Sequence, residues 1–278
     1  MKTMQNDAYS WLEVVNPEVK LGSVQFALFD FDGTLSLIRQ GWEKIMIAVM
    51  LESICEDQAP TPEIQVEVTE YVDQSTGLLT IKQMKWLEEA VIRHGNAKNK
   101  RTASAYKRIY LDRLLQPVHE RLGQIDDSQA GSQSWMVAGA SDFLLRLTHR
   151  GVRLFLASGT DQEYVLKEAE ALGVAHYFDG QIYGAQGDSE TDSKEVVIQR
   201  ILTEHNLSGK ELLVVGDGPV EIKAARQAGA VALGVACNEA DRTSLDERKR
   251  QRLLLAGADL IISNFSHTAE LVEILNGD

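Results

Sequence analysis

The sequence predicts an α/β fold: a parallel sheet flanked by helices, with a separate helical unit inserted into it. Strand-like apolar runs at 24–29, 152–157, 212–216, 231–235 and 259–262 alternate with helical patterns at 162–172, 194–206 and 219–228. The runs Phe26-Ala27-Leu28-Phe29 and Leu212-Leu213-Val214-Val215 are apolar throughout, as strands buried on both faces are. Between the first two runs the chain is far longer than the dozen or so residues that a parallel crossover needs. That stretch must fold as a unit of its own.

Taken in order, the chain begins with a helical-looking piece, Ala8 to Val15, followed by Pro17, expected to pack on the core or on a second subunit. The first strand ends in Asp30-Phe31-Asp32-Gly33-Thr34, two carboxylates followed by a turn residue. The insert reads as four helices, 41–54, 63–72, 80–94 and 101–123, separated by Gly, Pro or polar breaks and without a strand pattern. The second strand ends in Ala157-Ser158-Gly159-Thr160, and a helix follows. Lys194 opens the next helical segment, at the end where the macrodipole disfavours a cation. The third strand breaks at Gly216-Asp217-Gly218-Pro219-Val220-Glu221, just before another helix.

The pair Asp30 and Asp32 carries the most chemistry. Carboxylates leaving the C-terminal end of a parallel strand sit where open α/β sheets bind ligands. Two acids this close repel unless a cation holds them or one keeps its proton. A hard divalent metal, magnesium, is the natural partner for such oxygen donors. One carboxylate is then free to attack a phosphoryl group while the other moves a proton. Each motif also has a plain structural reading. Asp32-Gly33 makes a turn, Thr160 or Asp161 caps a helix, Lys194 is a solvated surface charge, and Asp217 with Glu221 forms a capping box.

Residues 29 to 35, Phe-Asp-Phe-Asp-Gly-Thr-Leu, resemble the first motif of the haloacid dehalogenase superfamily, whose members are mostly magnesium-dependent phosphohydrolases. The other three signals of that family follow in the required order: the strand ending at Ser158, Lys194, and Gly216-Asp217 with Glu221. The resemblance implies a Rossmann-like core of residues 1–36 and 139–278, with 1–20 an N-terminal extension, and an α-helical cap of 37–138. It implies catalytic roles for Asp30, Asp32, Ser158 and Lys194, and magnesium held by Asp30, Asp32, Asp217 and Glu221. Substrate contacts are expected from Thr34, Arg39, Gln74, Ser75, Gly159 and Thr160, with Trp42 at the mouth of the site. The family often has proline after the lysine and aspartate where Glu221 stands; Lys210 and Lys223 are the fallback candidates for Lys194.

The expected reaction is hydrolysis of a small phosphate monoester, a sugar phosphate or a phosphoglycolate-like metabolite, through an aspartyl-phosphate. The alternatives are a sugar phosphomutase, which needs a second phosphate site in the cap, and a catalytically silent phospho-ligand binder. A dehalogenase needs no acid at the position of Asp32, and ion-pumping relatives carry lysine where Phe31 stands.

Composition adds limits. The formal charge of −13, from 28 basic and 41 acidic residues, argues against nucleic-acid or anionic-membrane partners. Two cysteines, Cys55 and Cys237, are too few for a disulfide framework or a zinc site. The start, Met1 to Val15, has no long apolar run of a secretory signal, and no stretch reaches the roughly 20 apolar residues of a membrane span. The expectation is a cytoplasmic protein, monomer or homodimer, with a small-molecule partner. The basic loop with Lys98, Lys100 and Arg101 is either a phosphate attractor or idle and solvated.

Overall fold

The computed structural model describes residues 9–126, 131–187 and 193–277. Seven strands form one sheet: β1 (Leu12–Val14), β2 (Phe26–Phe29), β3 (Arg153–Asp161), β4 (Ile182–Ala185), β5 (Leu212–Gly216), β6 (Val231–Val235) and β7 (Leu260–Ile262). Their order is β1-β7-β6-β5-β2-β3-β4, all parallel except β1, which pairs antiparallel with β7. The chain runs from β2 outward through β3 and β4, then crosses back to β5 on the other side of β2. This reversal is the topological switch point at which such sheets bind ligands. Pairing of Phe29 with both Leu156 and Val215 brings the carboxyl ends of β2, β3 and β5 side by side.

The sheet is covered on both faces. Ala27, Phe29, Leu154, Leu156, Leu213 and Val215 belong to one core cluster; Leu28, Phe155, Leu212 and Val214 belong to the other. The side-chain period of two in a strand divides the residues in this way. Helices α6 (Ala140–His149) and α11 (Thr268–Asn276) pack together on one side, and α8 (Lys194–Glu204), α9 (Pro219–Ala228) and α10 (Glu247–Ala256) on the other. Helix α7 (Gln162–Ala171) follows β3 directly.

The insert is all helical among the described residues: α1 (Trp42–Cys55), α2 (Pro62–Gln74), α3 (Thr80–Arg93), α4 (Ala103–Asp126) and the short α5 (Gly131–Ser134). Helix α2 starts where its sequence says it should, with Pro62 in the first turn and the Thr61 hydroxyl accepting from Ile64 N at 3.4 Å. At the root of the insert the outgoing and returning chains lie side by side. Leu37 N donates to Trp135 O at 2.8 Å, and Val137 N to Leu35 O at 3.1 Å. None of the described helices is long and apolar enough to cross a membrane.

The N-terminal reading needs correction. Ala8 lies outside the described residues, and Leu12–Val14 is strand β1 rather than helix. Leu12 and Val14 are buried while Glu13 faces Arg250, a period of two that a segment this short expresses only when a sheet edge receives it. Trp11 stacks on His267 at 4.7 Å, so the segment packs on the core.

Candidate active site

Asp30, the residue after β2, is buried and its Oδ1 lies 2.7 Å from Lys194 Nζ. The same ammonium donates to Glu221 Oε2 at 2.9 Å, and Glu221 Oε1 accepts from Gly218 N at 2.7 Å. Glu221 thus closes back on the N-cap backbone of α9, but that cap is Gly218, which has no side chain to answer it, rather than the Asp217 of the sequence reading; the same Glu221 anchors Lys194. Asp30, Asp217 and Glu221 each bring one carboxylate oxygen within 4.8 Å of the others. A cluster made only of carboxylates suits a hard divalent cation. Asp217 Oδ1 is buried with no hydrogen-bond partner, the kind of orphaned acceptor that a metal would satisfy. The residues present fit the expected metal.

Asp32 turns the other way. Its Oδ2 accepts from the hydroxyls of Thr160 at 3.0 Å and Ser158 at 3.3 Å, and its Oδ1 lies 3.8 Å from Arg39 Nε. The Asp32 carboxylate thus lies outside the cluster formed by Asp30, Asp217 and Glu221. The turn at Gly33 has φ +76°, a left-handed conformation in which a side chain would also press on Asp217 and Lys249. Thr34 is fully buried beneath it, its hydroxyl without a hydrogen-bond partner.

The environments of the two acids differ. Burial pushes the Asp30 carboxyl well above the usual carboxylate range against the pull of Lys194, with Glu221 and Asp217 adding to the rise. Burial also raises Asp32, opposed by Arg39 and by the hydrogen bonds from Thr160 and Ser158. On Lys194 burial works against the charge, but Asp30 and Glu221 outweigh it and hold the ammonium protonated beyond its usual range. On Asp217 burial is likewise outweighed, here by Lys249 and Arg252, and the carboxyl stays below its usual range.

These last two cations were not legible in the sequence. Lys249 Nζ sits 2.8 Å from Asp217 Oδ2 and 2.7 Å from Glu239. Arg252 donates to Asp217 O at 3.0 Å and Oδ2 at 3.2 Å, and reaches Glu43 of α1 and Asp73 of α2 at 3.1 and 3.2 Å. Their three-residue spacing on a basic helix reads as a solvated stripe until the sheet order places α10 beside the Asp217 loop. Lys107 of α4 is a similar omission, buried and bonded to Asp161 at 2.5 Å and to Gly187 O at 3.1 Å. The fallback lysines Lys210 and Lys223 are exposed.

The insert closes over the site through its α2–α3 connection. A cavity of about 50 Å³ lies between core residues Asp30, Asp32, Ser158, Gly159 and Thr160 and insert residues Thr76, Gly77, Leu78, Thr80, Gln83 and Tyr110, with Arg39 and Trp42 at its side. Of the expected substrate contacts, Arg39, Gly159 and Thr160 line it and Thr34, Gln74 and Ser75 do not. Gln74 is exposed on the last turn of α2, and Ser75 faces inward, its hydroxyl accepting from Gln83 at 3.0 Å. Thr76 and Gly77 of this connection line the cavity, while helix α2 runs two residues further than its sequence pattern and carries Gln74 away from it. The residues from Lys98 to Arg101 are exposed and none lines the cavity; Lys100 pairs with Glu88 at 2.8 Å.

The parallel sheet brings Asp30, Ser158 and Asp217 together from three adjacent strands, with Lys194 on Asp30, a catalytic arrangement of the α/β class. The model of the haloacid dehalogenase-like hydrolases matches residues 24–229, most of the chain, and the chain belongs to that family. Among curated proteins it is similar to a phosphoglycolate phosphatase of Vibrio cholerae, 32% identical over 94 residues, 33% of this chain and 40% of that one. It is also similar to a phosphoglycolate phosphatase of Vibrio parahaemolyticus, 27% identical over 109 residues, 39% of this chain and 47% of that one. These matches span less than half of the curated relatives. Among solved structures, β-phosphoglucomutase from Clostridium difficile superimposes with a TM-score of 0.58 at 14% identity, covering 91% of this chain and 98% of that one. A predicted phosphoglycolate phosphatase from Haemophilus somnus gives 0.58 at 17% identity, covering 90% and 98%. At such identity the likeness shows the shared fold.

Proposed function

We propose that this chain is a magnesium-dependent phosphatase that hydrolyses a small phosphate monoester through an aspartyl-phosphate on Asp30. The observation that carries the reading is the difference between the two acids on the cavity wall: Asp30 lies with Lys194 in the acidic cluster, and Asp32 lies outside it with hydroxyls and Arg39. Asp30 is the nucleophile; its carboxylate oxygen forms the bond to phosphorus as the ester oxygen departs. Asp32, whose burial favours the protonated form, gives its proton to that leaving oxygen and later takes one from the attacking water. Ser158 and the backbone around Gly159 and Thr160 hold the phosphoryl oxygens, and Lys194 offsets their charge. Magnesium at Asp30 and Asp217, with Glu221 beside them, would neutralise the charge that develops on the transferred group.

In this reading residues 37–138 are the cap that excludes water and selects the leaving group. A mutase would need a second phosphate site, and Arg39, the cationic side chain on the cavity wall among the described residues, is already paired with Glu168. That observation supports hydrolysis over phosphoryl return. Cys55 and Cys237 are unpaired, which suits a reducing, cytoplasmic setting. The test is a screen of purified protein against phosphorylated metabolites and p-nitrophenyl phosphate, with magnesium and with excess chelator. Magnesium-dependent release of phosphate is expected; full activity in chelator, or none on any ester, would overturn the proposal.

A further inference from the structure

We infer that the substrate's leaving group is an uncharged, hydroxylated fragment, so that neutral polyol or sugar monophosphates are turned over and carboxylated or doubly phosphorylated esters are rejected. This rests on the phosphatase reading and names its substrate class. Arg39 is the one cationic side chain lining the cavity among the described residues, and it is 4% exposed. Its Nε donates to both Glu168 oxygens at 3.1 and 3.2 Å and its Nη2 donates to Oε1 at 2.7 Å. Glu168 is itself 1% exposed, so bulk solvent screens the pair little. Nε also lies 3.8 Å from Asp32 Oδ1. With Asp32 protonated this end of the cavity has no net charge, and with Asp32 ionised it is negative. A second anionic group on the substrate would be desolvated there with no free cation to receive it.

The insert side of the wall adds neutral hydrogen-bonding groups. Gln83 directs its amide nitrogen to Ser75 O at 3.3 Å, which leaves the amide oxygen as its acceptor. Thr80 spends its hydroxyl proton on Gly159 O at 3.4 Å and keeps its lone pairs. Tyr110 is a buried phenol that burial holds neutral, and the Trp42 ring faces the same space. Acceptors and donors without charge, beside an aromatic face, suit alcohol groups on a carbon chain or ring. The chain's formal charge of −13 works in the same direction at long range.

Two matched pairs test this, each differing only in a carboxylate replaced by CH2OH: 2-phosphoglycolate against 2-hydroxyethyl phosphate, and 3-phosphoglycerate against glycerol 1-phosphate. Steady-state kcat/KM with magnesium should favour the neutral member at least tenfold in both, with fructose 1,6-bisphosphate as poor as the carboxylates. Glu168→Gln, which frees the positive charge of Arg39, should narrow both ratios at least fivefold. A ratio is independent of the fraction of enzyme that folds, so a destabilised variant still reports. Equal or better turnover of the carboxylated members, or ratios that Glu168→Gln leaves unmoved, would overturn the inference. If p-nitrophenyl phosphate is not hydrolysed either, the phosphatase reading falls and takes this inference with it.

Discussion

Gly218→Ala probes whether the active enzyme has the insert seated as in this structure. Gly218 is the N-cap of α9 with φ −107° and ψ 161°, a backbone that alanine adopts without strain. The obstacle is across the site. A Cβ there would lie 2.6 Å from Thr76 O and 2.9 Å from Thr76 C, both backbone atoms of the insert loop. Ordinary contact begins at 3.4 Å, so the loop must retreat by nearly an ångström. Overpacking of this kind costs about 1–3 kcal/mol, and displacing a positioning element by about 1 Å costs on the order of 100-fold in rate. The expected result is a fall in kcat/KM of about 10–100-fold on a polyol phosphate and a smaller fall on p-nitrophenyl phosphate, whose leaving group asks little of the insert. Gly159→Ala, whose Cβ would meet the Leu78 carbonyl with its carbon at 3.0 Å, should act alike from the other side. Gly123→Ala is the control. It lies in α4 with nothing within 4 Å, and should add about 0.5–1 kcal/mol of stability with activity unchanged. Wild-type kcat/KM in both Gly218→Ala and Gly159→Ala would refute the reasoning, because the productive insert would then stand further open.

Asp30→Asn should abolish turnover and phosphoenzyme labelling, since an amide cannot form the acyl phosphate, while Asp32→Ala should slow turnover by about 10²–10⁴ with substrate still bound; labelling that survives in Asp30→Asn would deny Asp30 the role of nucleophile and put the covalent intermediate on another residue. Thr160→Val removes a hydrogen bond that favours the ionised form of Asp32, so its carboxyl rises further and the basic limb of the kcat/KM profile moves to higher pH. A limb that stays put or moves down would deny Asp32 the role of acid. Lys249→Met deletes a buried positive charge 2.8 Å from Asp217 while Arg252 still holds that carboxylate, so Mn2+ should bind at least about tenfold tighter by paramagnetic titration. Unchanged or weaker binding would place the metal away from Asp217.

The chain's own pattern determined the strands around the site and the residues at their ends. Apolar runs that stop at Asp30, Ser158 and Asp217 are local facts, and burial on both faces leaves such runs one plausible architecture. Lys194 was readable as an anomaly, a cation at the electrostatically wrong end of a helix, and its pairing with Asp30 and Glu221 is the compensation. Strand β1 was not readable, because three residues carry too little pattern to choose between periods until the edge of β7 supplies hydrogen bonds. Nor were β4 and helices α6, α10 and α11. What tertiary structure alone decided is the company each charge keeps. Lys249 and Arg252 meet Asp217 across more than 30 residues of sequence, and Arg39 meets Glu168 across 129. Those encounters follow from strand order and from where the insert comes to rest, and neither leaves a periodic trace in the sequence. The carboxylates and hydroxyl of the candidate site are therefore written where the apolar runs stop, and the charge of the cavity beside them is written only in the folded arrangement.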